Sequence, residues 1–355
     1  MRHLIDITDL SVDEIESILD LADKMKANPA AYRDTMHGRI LATLFFEPST
    51  RTRLSFESAM LSLGGSVLGF SNANSSSAAK GESVADTIEV VSGYCDIIAM
   101  RHPKEGAPYV AVGHSRVPVI NAGDGGHYHP TQTLADLLTI HRHKGGFDGL
   151  TIGLCGDLKY GRTVHSLIGA MSRYKGVRFV LISPEELRLP DFVMQQYIAA
   201  NGIEATETYS LEQAIGKLDI LYMTRVQQER FADKAQYERL KDTYVLTPEK
   251  MRLAKPDMIV MHPLPRVGEI SVAVDEDPRA CYFEQTRCGK FMRMALILSL
   301  INGSGGYKDK RRLFEGDGVC KNPHCILTSE RELKRLLYKD ERGKIHCAYC
   351  DEEVM

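Results

Sequence analysis

The sequence predicts an α/β protein with two doubly wound parallel-sheet domains and a small cysteine-rich module at its C-terminus. Apolar runs of strand length alternate with segments of helical periodicity along most of the chain, which is typical of βαβ units and parallel sheets. The length of 355 residues exceeds the usual size of one domain. Four of the eight cysteines form two close pairs near the C-terminus, after a Gly-rich stretch.

The composition is that of an ordinary globular protein and disfavours several functional classes. The apolar fraction is 43% and the charged fraction is 26%, and no segment approaches the roughly 18 apolar residues of a membrane span. The N-terminus passes directly into acidic, periodic sequence without an apolar signal-like stretch, so we expect a cytoplasmic protein. The net charge of -3 gives no reason to expect nucleic acid or a membrane as a partner.

The first domain is predicted over residues 1–130. Residues 40–46 form a continuous apolar run of strand length, and apolar side chains recur with helical spacing from Phe56 onward. Residues 71–83 are rich in Ser, Ala and Asn without periodicity, which predicts a mobile loop. The remaining predicted elements are a helix over 11–26, a segment over 85–92, and strands over 97–100 and 117–121.

The second domain is predicted over residues 131–287. Its strands are expected at 151–155, 177–182, 219–223 and 258–261, with a helix that places Val164, Leu167, Ile168 and Met171 on one face. An amphipathic helix over 289–301 follows. Residues 303–318 combine glycines with a run of charges, which indicates a linker to the module at 319–355.

A cluster of hydroxyls and guanidinium groups lies where the strand over 40–46 gives way to a helix. The segment contains Ser49, Thr50, Arg51, Thr52 and Arg53. Unpaired N–H groups and the helix dipole favour an anion at such a helix start, and arginine forms two parallel hydrogen bonds with phosphate oxygens. An ordinary helix cap with both arginines in solvent is the alternative.

Further candidate residues follow other predicted strands, where open α/β sheets bind ligands. Arg101 ends one strand, although a surface ion pair is the alternative for an isolated arginine. His129 and Gln132 lie about one turn apart at a helix start that Pro130 favours. The spacing of His127 and His129 also permits a metal pair, but no carboxylate or third histidine lies nearby.

The second domain repeats this pattern. Arg162 lies near a helix start, and Arg225 and Gln227 follow a strand. Residues 233–243 beyond them are charged and suggest a lid. Residues 262–266, His-Pro-Leu-Pro-Arg, fix backbone carbonyls after another strand, either to accept from an amine or amide or simply to form a rigid turn.

Taken together, these residues predict a site for a multiply charged anion. The chain supplies several strand-end arginines and a histidine, but neither a Ser-His-Asp arrangement nor a pair of catalytic carboxylates. Catalysis would therefore depend on positioning and electrostatic stabilisation.

Residues 49–53, 129–132 and 262–266, in this order and spacing, closely resemble the aspartate carbamoyltransferase family over roughly residues 1–302. Ornithine-specific relatives typically carry His-Cys-Leu-Pro and a Ser-Met-Gly loop, and both motifs are absent here. The resemblance implies transfer of the carbamoyl group of carbamoyl phosphate to the α-amine of L-aspartate, the first committed step of pyrimidine synthesis. It also implies that the helix over 288–302 completes the first domain.

The resemblance assigns roles to residues of the first domain and to their partners. Ser49, Thr50, Arg51, Thr52 and Arg101 would hold the phosphate. Thr52, Arg101 and His129 would polarise the carbonyl, so Arg51, Thr52, Arg101 and His129 are the expected catalytic residues. Gln132 and the carbonyls of Pro263 and Leu264 would hold the carbamoyl NH₂.

The aspartate site and the assembly also follow from the resemblance. Arg162, Arg225 and Gln227 match positions that grip the two carboxylates of aspartate, with Lys80 assisting. Ser76 and Lys80 match residues that the family inserts into the neighbouring subunit's site, which implies a homotrimer. Ala79 departs from some relatives, which have a second lysine there.

The C-terminal cysteines predict a structural metal site. Cys320 and Cys325 are separated by four residues, and Cys347 and Cys350 by two. Four thiolates in two close pairs suit tetrahedral Zn²⁺, whereas disulfides are disfavoured in the cytosol.

This module resembles the zinc domain of the separate regulatory chain of aspartate carbamoyltransferase, which implies a small zinc-binding β domain that supports the trimer or joins trimers. Residues 302–319 are too short for that chain's nucleotide-binding domain, so we expect no nucleotide-effector site.

Two alternatives remain at this stage. The enzyme could use an acceptor other than aspartate, such as ornithine. The zinc module could instead bind nucleic acid or a partner on a catalytically idle scaffold, with Arg331, Lys334, Arg335 and Lys339 as its basic face. Acidic residues interleave with these cations, which favours a solvated mixed-charge surface.

Overall fold

The structure is a computed structural model that describes residues 2–75, 77–226, 234–240, 243–303, 309, 311–330, 332–340 and 342–354. The chain divides into two compact units, one formed by 1–131 with 290–355 and the other by 132–289. No helix among the described residues is long and apolar enough to cross a membrane.

The first unit is built on a four-stranded parallel sheet. Its strand order is β2-β1-β3-β4, and nearly all side chains of β1, β3 and β4 are buried, as expected for a sheet covered on both faces. The strands are β1 (Ile40–Phe45), β2 (Ser66–Phe70), β3 (Ile97–His102) and β4 (Val119–Asp124). The helices are α1 (Val12–Ala27), α2 (Thr50–Ser62), α3 (Val84–Val91) and α4 (Ala107–His114).

The second unit contains a five-stranded parallel sheet in the order β7-β6-β5-β8-β9. Its strands are β5 (Thr151–Cys155), β6 (Arg178–Ile182), β7 (Glu204–Thr208), β8 (Ile220–Met223) and β9 (Ile259–Met261). The chain enters this unit within α5 (Pro130–Lys144) and leaves it within α11 (Tyr282–Asn302). The intervening helices are α6 (Arg162–Met171), α7 (Asp191–Val193), α8 (Leu211–Ala214), α9 (Lys234–Leu240) and α10 (Pro248–Met251).

The C-terminal residues form a small antiparallel sheet that belongs to the first unit. Its strands are β10 (Phe314–Glu315), β11 (Leu336–Lys339) and β12 (Ile345–Cys347), in that order. Buried side chains of this module, including Ile326 and Leu337, share one hydrophobic cluster with Met100 and Val110 of the first unit. The module is therefore docked on the domain to which it is fused.

The α/β class with two parallel-sheet domains is confirmed, and so are the predicted strands, to within a few residues at their ends. Strands β2 and β7 were not predicted from the sequence. Both lie at sheet edges and contain only exposed and half-buried residues, so they lack the continuous apolar run of buried parallel strands. The final helix begins at Tyr282 rather than at 289, and β10 lies inside the predicted linker over 303–318.

Candidate active site and metal centre

The helix start after β1 has the features of an anion site. Ser49 is the N-cap of α2, but its hydroxyl caps no backbone N–H, and no acidic residue lies in the first turn. Thr50 is the first helical residue, followed by Arg51 and Thr52. A helix N-terminus without a competing carboxylate keeps its N–H groups and its partial positive charge for an external anion.

Arg53 belongs to the same motif but has a different role. Its Nε donates to Glu57 Oε1 at 2.7 Å, one turn along α2. Glu57 Oε1 also accepts a hydrogen bond from Thr43 Oγ1 at 3.0 Å. Glu57 therefore ties α2 to β1, and Arg53 pairs with Glu57.

Arg101 adds a second guanidinium group to this unit. It lies at the carboxyl end of β3, its side chain is only 12% exposed, and its Nη2 lies 2.8 Å from Glu47 Oε2. The buried Nε has no hydrogen-bond acceptor within the described parts of the chain. Partial burial and the positive charge of Arg101 lower the pKa of Arg51. The two arginines are thus close enough to repel, an arrangement that a bound anion would relieve.

His129 converges with Arg101 beside Gly123. This glycine is the second-last residue of β4 and has φ +122°, and a Cβ there would lie 2.9 Å from Arg101 Nη1 and 3.4 Å from His129 Cδ2. A larger residue at 123 would separate the two side chains. His129 itself is buried, with Nδ1 3.5 Å from the Thr131 hydroxyl.

Arg293 of α11 braces these elements. Its guanidinium is buried and donates to Ser55 on α2 at 3.1 Å and to Thr131 at 3.3 Å. It also lies over the Phe56 ring at 5.0 Å. The C-terminal part of α11 therefore holds the start of α5 and the helix that carries Ser49, Thr50, Arg51 and Thr52.

In the second unit, a buried hydrogen-bond chain joins Gln132 to the segment after β9. Gln132 Nε2 donates to Asp136 Oδ1 at 2.7 Å, and Gln285 Nε2 donates to the same oxygen at 2.6 Å. Gln285 Oε1 then accepts from the backbone N–H of His262 at 3.0 Å. Tyr222 donates to the other Asp136 oxygen at 2.9 Å. Asp136 and Gln285 thus set the position of Gln132 relative to residues 262–264.

His262 fixes the backbone of the two residues that follow it. Its Nδ1 accepts from the Leu264 N–H at 2.7 Å, so Nε2 carries the proton that is donated to Glu269 at 2.7 Å. Burial alone would raise the pKa of Glu269, but hydrogen bonds from His262 and the Val267 backbone lower it to about 2. Leu264 has a positive φ of 52°, which is unusual for a branched side chain. The carbonyls of Pro263 and Leu264 are therefore held in a defined orientation.

Two arginines follow neighbouring strands of the second sheet. Arg162 is the first residue of α6, after β5, and Arg225 comes two residues after β8. Strands β5 and β8 pair directly, with Cys155 opposite Met223. The Thr224 hydroxyl joins the two strand ends, because it donates to the Cys155 carbonyl at 3.0 Å and accepts from Asp157 N at 2.8 Å. Both arginines are half-buried residues, and both follow the carboxyl end of their strand.

Of three other predicted residues, one lies on an exposed turn and two lie outside the described residues. Lys80 ends a short 3-10 turn, Ser77–Lys80, and is exposed. Ser76 and Gln227 lie outside the described residues, as do Asp233, residues 241–242 and Arg331. Their predicted roles remain predictions.

The four C-terminal cysteines come together. Their sulfur atoms all lie within 4.8 Å of one another, and three of the four residues are buried. Cys320 Sγ is 3.4 Å from Cys350 Sγ, and Cys325 Sγ is 3.9 Å from Cys347 Sγ. These separations are close to the ~3.8 Å between ligands of a tetrahedral ion with metal–sulfur bonds of about 2.3 Å. The cluster can therefore hold a metal ion.

Sequence reasoning did not find the residues that support the site. Asp136 would have been the easiest of these to predict, because it lies four residues after Gln132 on the same helix face. Gln285, Glu105 and Asp351 act over separations of 23 to 224 residues, which no local pattern reveals.

Comparison with known proteins gives one consistent family. Residues 2–142 match "Aspartate/ornithine carbamoyltransferase, carbamoyl-P binding domain", and residues 148–300 match "Aspartate/ornithine carbamoyltransferase, Asp/Orn binding domain". The chain is 64% identical over 300 residues to the aspartate carbamoyltransferase catalytic subunit of Clostridium novyi, covering 84% of this chain and 98% of the relative. The counterpart from Lachnoclostridium phytofermentans is 61% identical over 302 residues, with 85% and 98% covered.

Solved structures give the same result. The catalytic subunit of M. jannaschii aspartate transcarbamoylase is 49% identical with a TM-score of 0.79, covering 85% of this chain and 98% of that chain. The Trypanosoma cruzi aspartate transcarbamoylase in complex with N-(phosphonacetyl)-L-aspartic acid is 43% identical with a TM-score of 0.79, covering 84% and 95%.

Proposed function

The chain belongs to the aspartate/ornithine carbamoyltransferase family, and we infer from this that it is an aspartate carbamoyltransferase. It transfers the carbamoyl group of carbamoyl phosphate to the α-amine of L-aspartate, giving N-carbamoyl-L-aspartate and phosphate for pyrimidine synthesis. The observation that carries this function is the cationic start of α2. There partial burial and the positive charge of Arg101 lower the pKa of Arg51, and the Arg101 Nε has no hydrogen-bond acceptor among the described residues.

Carbamoyl phosphate binds through its phosphate to the first unit. Ser49, Thr50, Arg51 and Thr52 offer hydroxyls, N–H groups and a guanidinium at one helix start, and Ser76 of a neighbouring subunit adds a hydroxyl. Arg101 supplies a charge-assisted donor that is already positioned by Glu47. Donors that are fixed before the reaction need no reorganisation when charge develops, which is why they favour the transition state.

The carbamoyl group is oriented by both its carbonyl and its NH₂. Thr52, Arg101 and His129 donate to the carbonyl oxygen, and the convergence of Arg101 with His129 at Gly123 supports this shared role. The side-chain oxygen of Gln132 and the carbonyls of Pro263 and Leu264 accept from the NH₂. Asp136 supports this orientation, because it holds the Gln132 NH₂ and leaves the amide oxygen as the acceptor.

L-Aspartate binds through its two carboxylates. Arg162 and Arg225 provide guanidinium groups at neighbouring strand ends of one sheet, and Gln227 and Lys80 assist them. Arginine suits this task because its planar fork matches a carboxylate. The enzyme binds two dianionic groups, the phosphate of one substrate and the paired carboxylates of the other. This explains why arginines follow so many strands of the chain.

The reaction is a nucleophilic acyl transfer without a covalent enzyme intermediate. The neutral α-amine attacks the carbamoyl carbon and forms the C–N bond, and the carbonyl electrons move to an oxyanion stabilised by Thr52, Arg101 and His129. The carbon–phosphate oxygen bond then breaks with the return of the electron pair. The departing phosphate accepts the proton that the amine loses. Substrate orientation and electrostatic stabilisation supply the rate enhancement.

The active assembly is a homotrimer in which each subunit lends residues to its neighbour. Lys80 lies on an exposed short turn, as expected of a side chain that reaches a second subunit, and Ser76 precedes it in the same loop. The sites are complete only in the trimer.

The metal bound by the C-terminal cysteines is Zn²⁺ with a structural role. Four cysteine sulfurs at tetrahedral separations leave no open position for a substrate. When bound, the ion supplies cross-links for a small sheet that has little core of its own. It takes no part in the carbamoyl transfer.

The test is the initial rate of product formation with carbamoyl phosphate and either L-aspartate or L-ornithine as acceptor. We expect carbamoyl-aspartate and no citrulline, because two arginines select a dicarboxylate and the segment at 262–266 is not the ornithine type. Turnover with ornithine alone would contradict the assignment of acceptor. No turnover with either, in folded and zinc-loaded protein, would contradict the function.

A further inference from the structure

A carboxylate of the C-terminal module contacts the loop that leads into His129. Asp351 Oδ2 accepts hydrogen bonds from His127 Nε2 at 3.0 Å and from the Tyr128 hydroxyl at 2.8 Å. These two residues lie directly before His129 in the loop between β4 and α5. The module thus reaches the neighbourhood of the proposed catalytic histidine through one side chain.

The position of Asp351 is set by the cysteine turn. Its backbone N–H donates to the Cys347 carbonyl at 3.0 Å, closing the turn that holds Cys347 and Cys350. Its backbone has φ +58°, a conformation that Asp and Asn tolerate better than most residues. On the other side, Arg311 donates to Asp351 Oδ1 at 2.8 Å. A metal bound by the cysteines would therefore help to fix the residue that contacts the loop.

The loop side of this contact is also held by hydrogen bonds, which Asp124 accepts. Asp124 Oδ2 lies 3.1 Å from His127 Nδ1, and Asp124 Oδ1 accepts from the Tyr128 N–H at 3.0 Å. Burial lowers the pKa of His127, but Asp124 and Asp351 outweigh this and raise it well above the ordinary value. The imidazolium is thus clamped between a carboxylate of the first domain and one of the module.

A second contact holds the loop after Arg101. Glu105 exchanges backbone hydrogen bonds with His324 and Ile326, both at 2.9 Å, and its side chain accepts from Asn322 at 2.6 Å. The other Glu105 oxygen accepts from Gly126 N at 3.1 Å. The approach is tight, because a Cβ on Gly106 would lie 2.5 Å from Tyr349 Cβ. Two contacts from one module thus hold the loop that follows β3, the strand of the proposed catalytic residue Arg101, and the loop that leads to His129.

We propose that the C-terminal module strengthens the binding of carbamoyl phosphate. Asp351 is a positioning residue: it holds His127 and Tyr128, and these two residues in turn position His129. The proposal rests on the proposed function. It gives the module a contribution to catalysis, whereas its metal site alone would indicate only a role in the stability of the fold. Asp351 contacts no substrate and acts through the loop. Small displacements of a catalytic group are costly, since misplacement by about 1 Å can reduce rates by about 100-fold.

The test uses Asp351→Asn in the full, zinc-loaded chain. Asparagine preserves the backbone conformation and one acceptor oxygen, but it removes the charge that holds the imidazolium. We expect phosphate to bind about tenfold more weakly by calorimetry, which corresponds to about 1.4 kcal/mol. We also expect the KM for carbamoyl phosphate to rise by a similar factor, while the KM for aspartate at saturating carbamoyl phosphate stays within about twofold.

Two further variants make the result interpretable. Glu353→Gln makes the same chemical change two residues later, in an exposed pair with Lys344, and should leave phosphate binding, KM and zinc content unchanged. Tyr128→Phe removes only the hydroxyl that donates to Asp351 and should weaken phosphate binding in the same direction. Combined with Asp351→Asn, it should add less than its separate effect, because both changes break one contact.

Each outcome decides the proposal. Unchanged phosphate binding and unchanged KM in zinc-loaded Asp351→Asn would overturn it. If Asp351→Asn loses zinc or fails to fold, Tyr128→Phe decides, and phosphate binding equal to that of the wild type would overturn it. Failure of the proposed function is distinguishable, because the wild-type chain would then form no carbamoyl-aspartate at all.

Discussion

At the residue scale, Arg101 combines three properties expected of an anion-binding side chain. It is mostly buried, it is paired through one nitrogen with Glu47, and its Nε has no acceptor among the described residues. Burial of an unpaired cation costs several kcal/mol, and Glu47 offsets only part of that cost. A bound phosphate would satisfy the remaining donor and also reduce the repulsion between Arg101 and Arg51. We therefore propose that the same residue serves both phosphate binding and stabilisation of the oxyanion.

Glu269 is the residue whose charge most clearly supports the segment at 262–264. Its folded-state pKa is about 2, below the ordinary value of 4.5, so its contribution is fully present above about pH 5. Protonation of Glu269 as the pH falls towards 2 removes that contribution, which is about 3 kcal/mol. Stability should therefore decrease with acidification through this group.

We expect Glu269→Gln to remove this dependence. The variant should be less stable than the wild type at pH 7, and the difference in unfolding free energy should shrink as the pH falls from 5 towards 3. Urea unfolding at several pH values measures this, with the exposed Glu276→Gln as the control. A difference between Glu269→Gln and the wild type that is constant with pH would contradict the assigned pKa.

At the element scale, the proposed metal would substitute for a core in the C-terminal sheet. Strands β10 to β12 contain two to four residues each, too few to bury a core of their own. The cysteines instead join the hydrophobic cluster of the first unit, where Cys325 and Cys347 are fully buried. Metal binding and docking should therefore stabilise each other.

Loss of one ligand should disrupt the module. We expect the wild type to bind about one zinc per chain, because one tetrahedral site takes four thiolates, and Cys347→Ser to bind much less. The variant should also have a lower Tm, since docking of the module depends on the metal. Zinc analysis and thermal unfolding check this. Cys95→Ser, a half-buried cysteine outside the cluster, is the control, and full zinc retention by Cys347→Ser would contradict the ligand set.

The elements also show which structural features a sequence can reveal. The start of α2 was predictable because an apolar strand, a polar cluster and a helical period follow one another within 24 residues, from Ile40 to Leu63. The docking of the C-terminal module was not, because Asp351 contacts His127 across 224 residues and a single aspartate carries no pattern. The cysteine pairs predicted the metal site, but they contained no information about the surface that the module covers.

At the scale of the whole molecule, the proposed trimer makes a prediction about mixtures of inactive chains. Lys80→Ala and Arg101→Met should each have very low activity. If Lys80 serves a neighbouring subunit as proposed, mixed trimers of these two variants contain some sites with both native residues, and activity should recover. Dissociation, mixing and reassociation followed by an activity assay tests this.

A matched mixture provides the control for this experiment. Arg101 and Arg162 are proposed to act within one subunit, so trimers mixed from Arg101→Met and Arg162→Met chains contain no native site and should stay inactive. Recovery of activity in neither mixture would contradict the shared sites. Equal recovery in both would contradict the assignment of Arg101 and Arg162 to one subunit.

The dissociation constant of carbamoyl phosphate tests the central claim most directly, because the account depends on a phosphate site built by α2 and Arg101. Calorimetry should compare the wild type with Arg101→Met and with Arg53→Met, the motif arginine that pairs with Glu57. The account predicts at least about 100-fold weaker binding for Arg101→Met, the loss of a buried charge-assisted contact, and a change within about twofold for Arg53→Met. Equal binding by the wild type and Arg101→Met would contradict it.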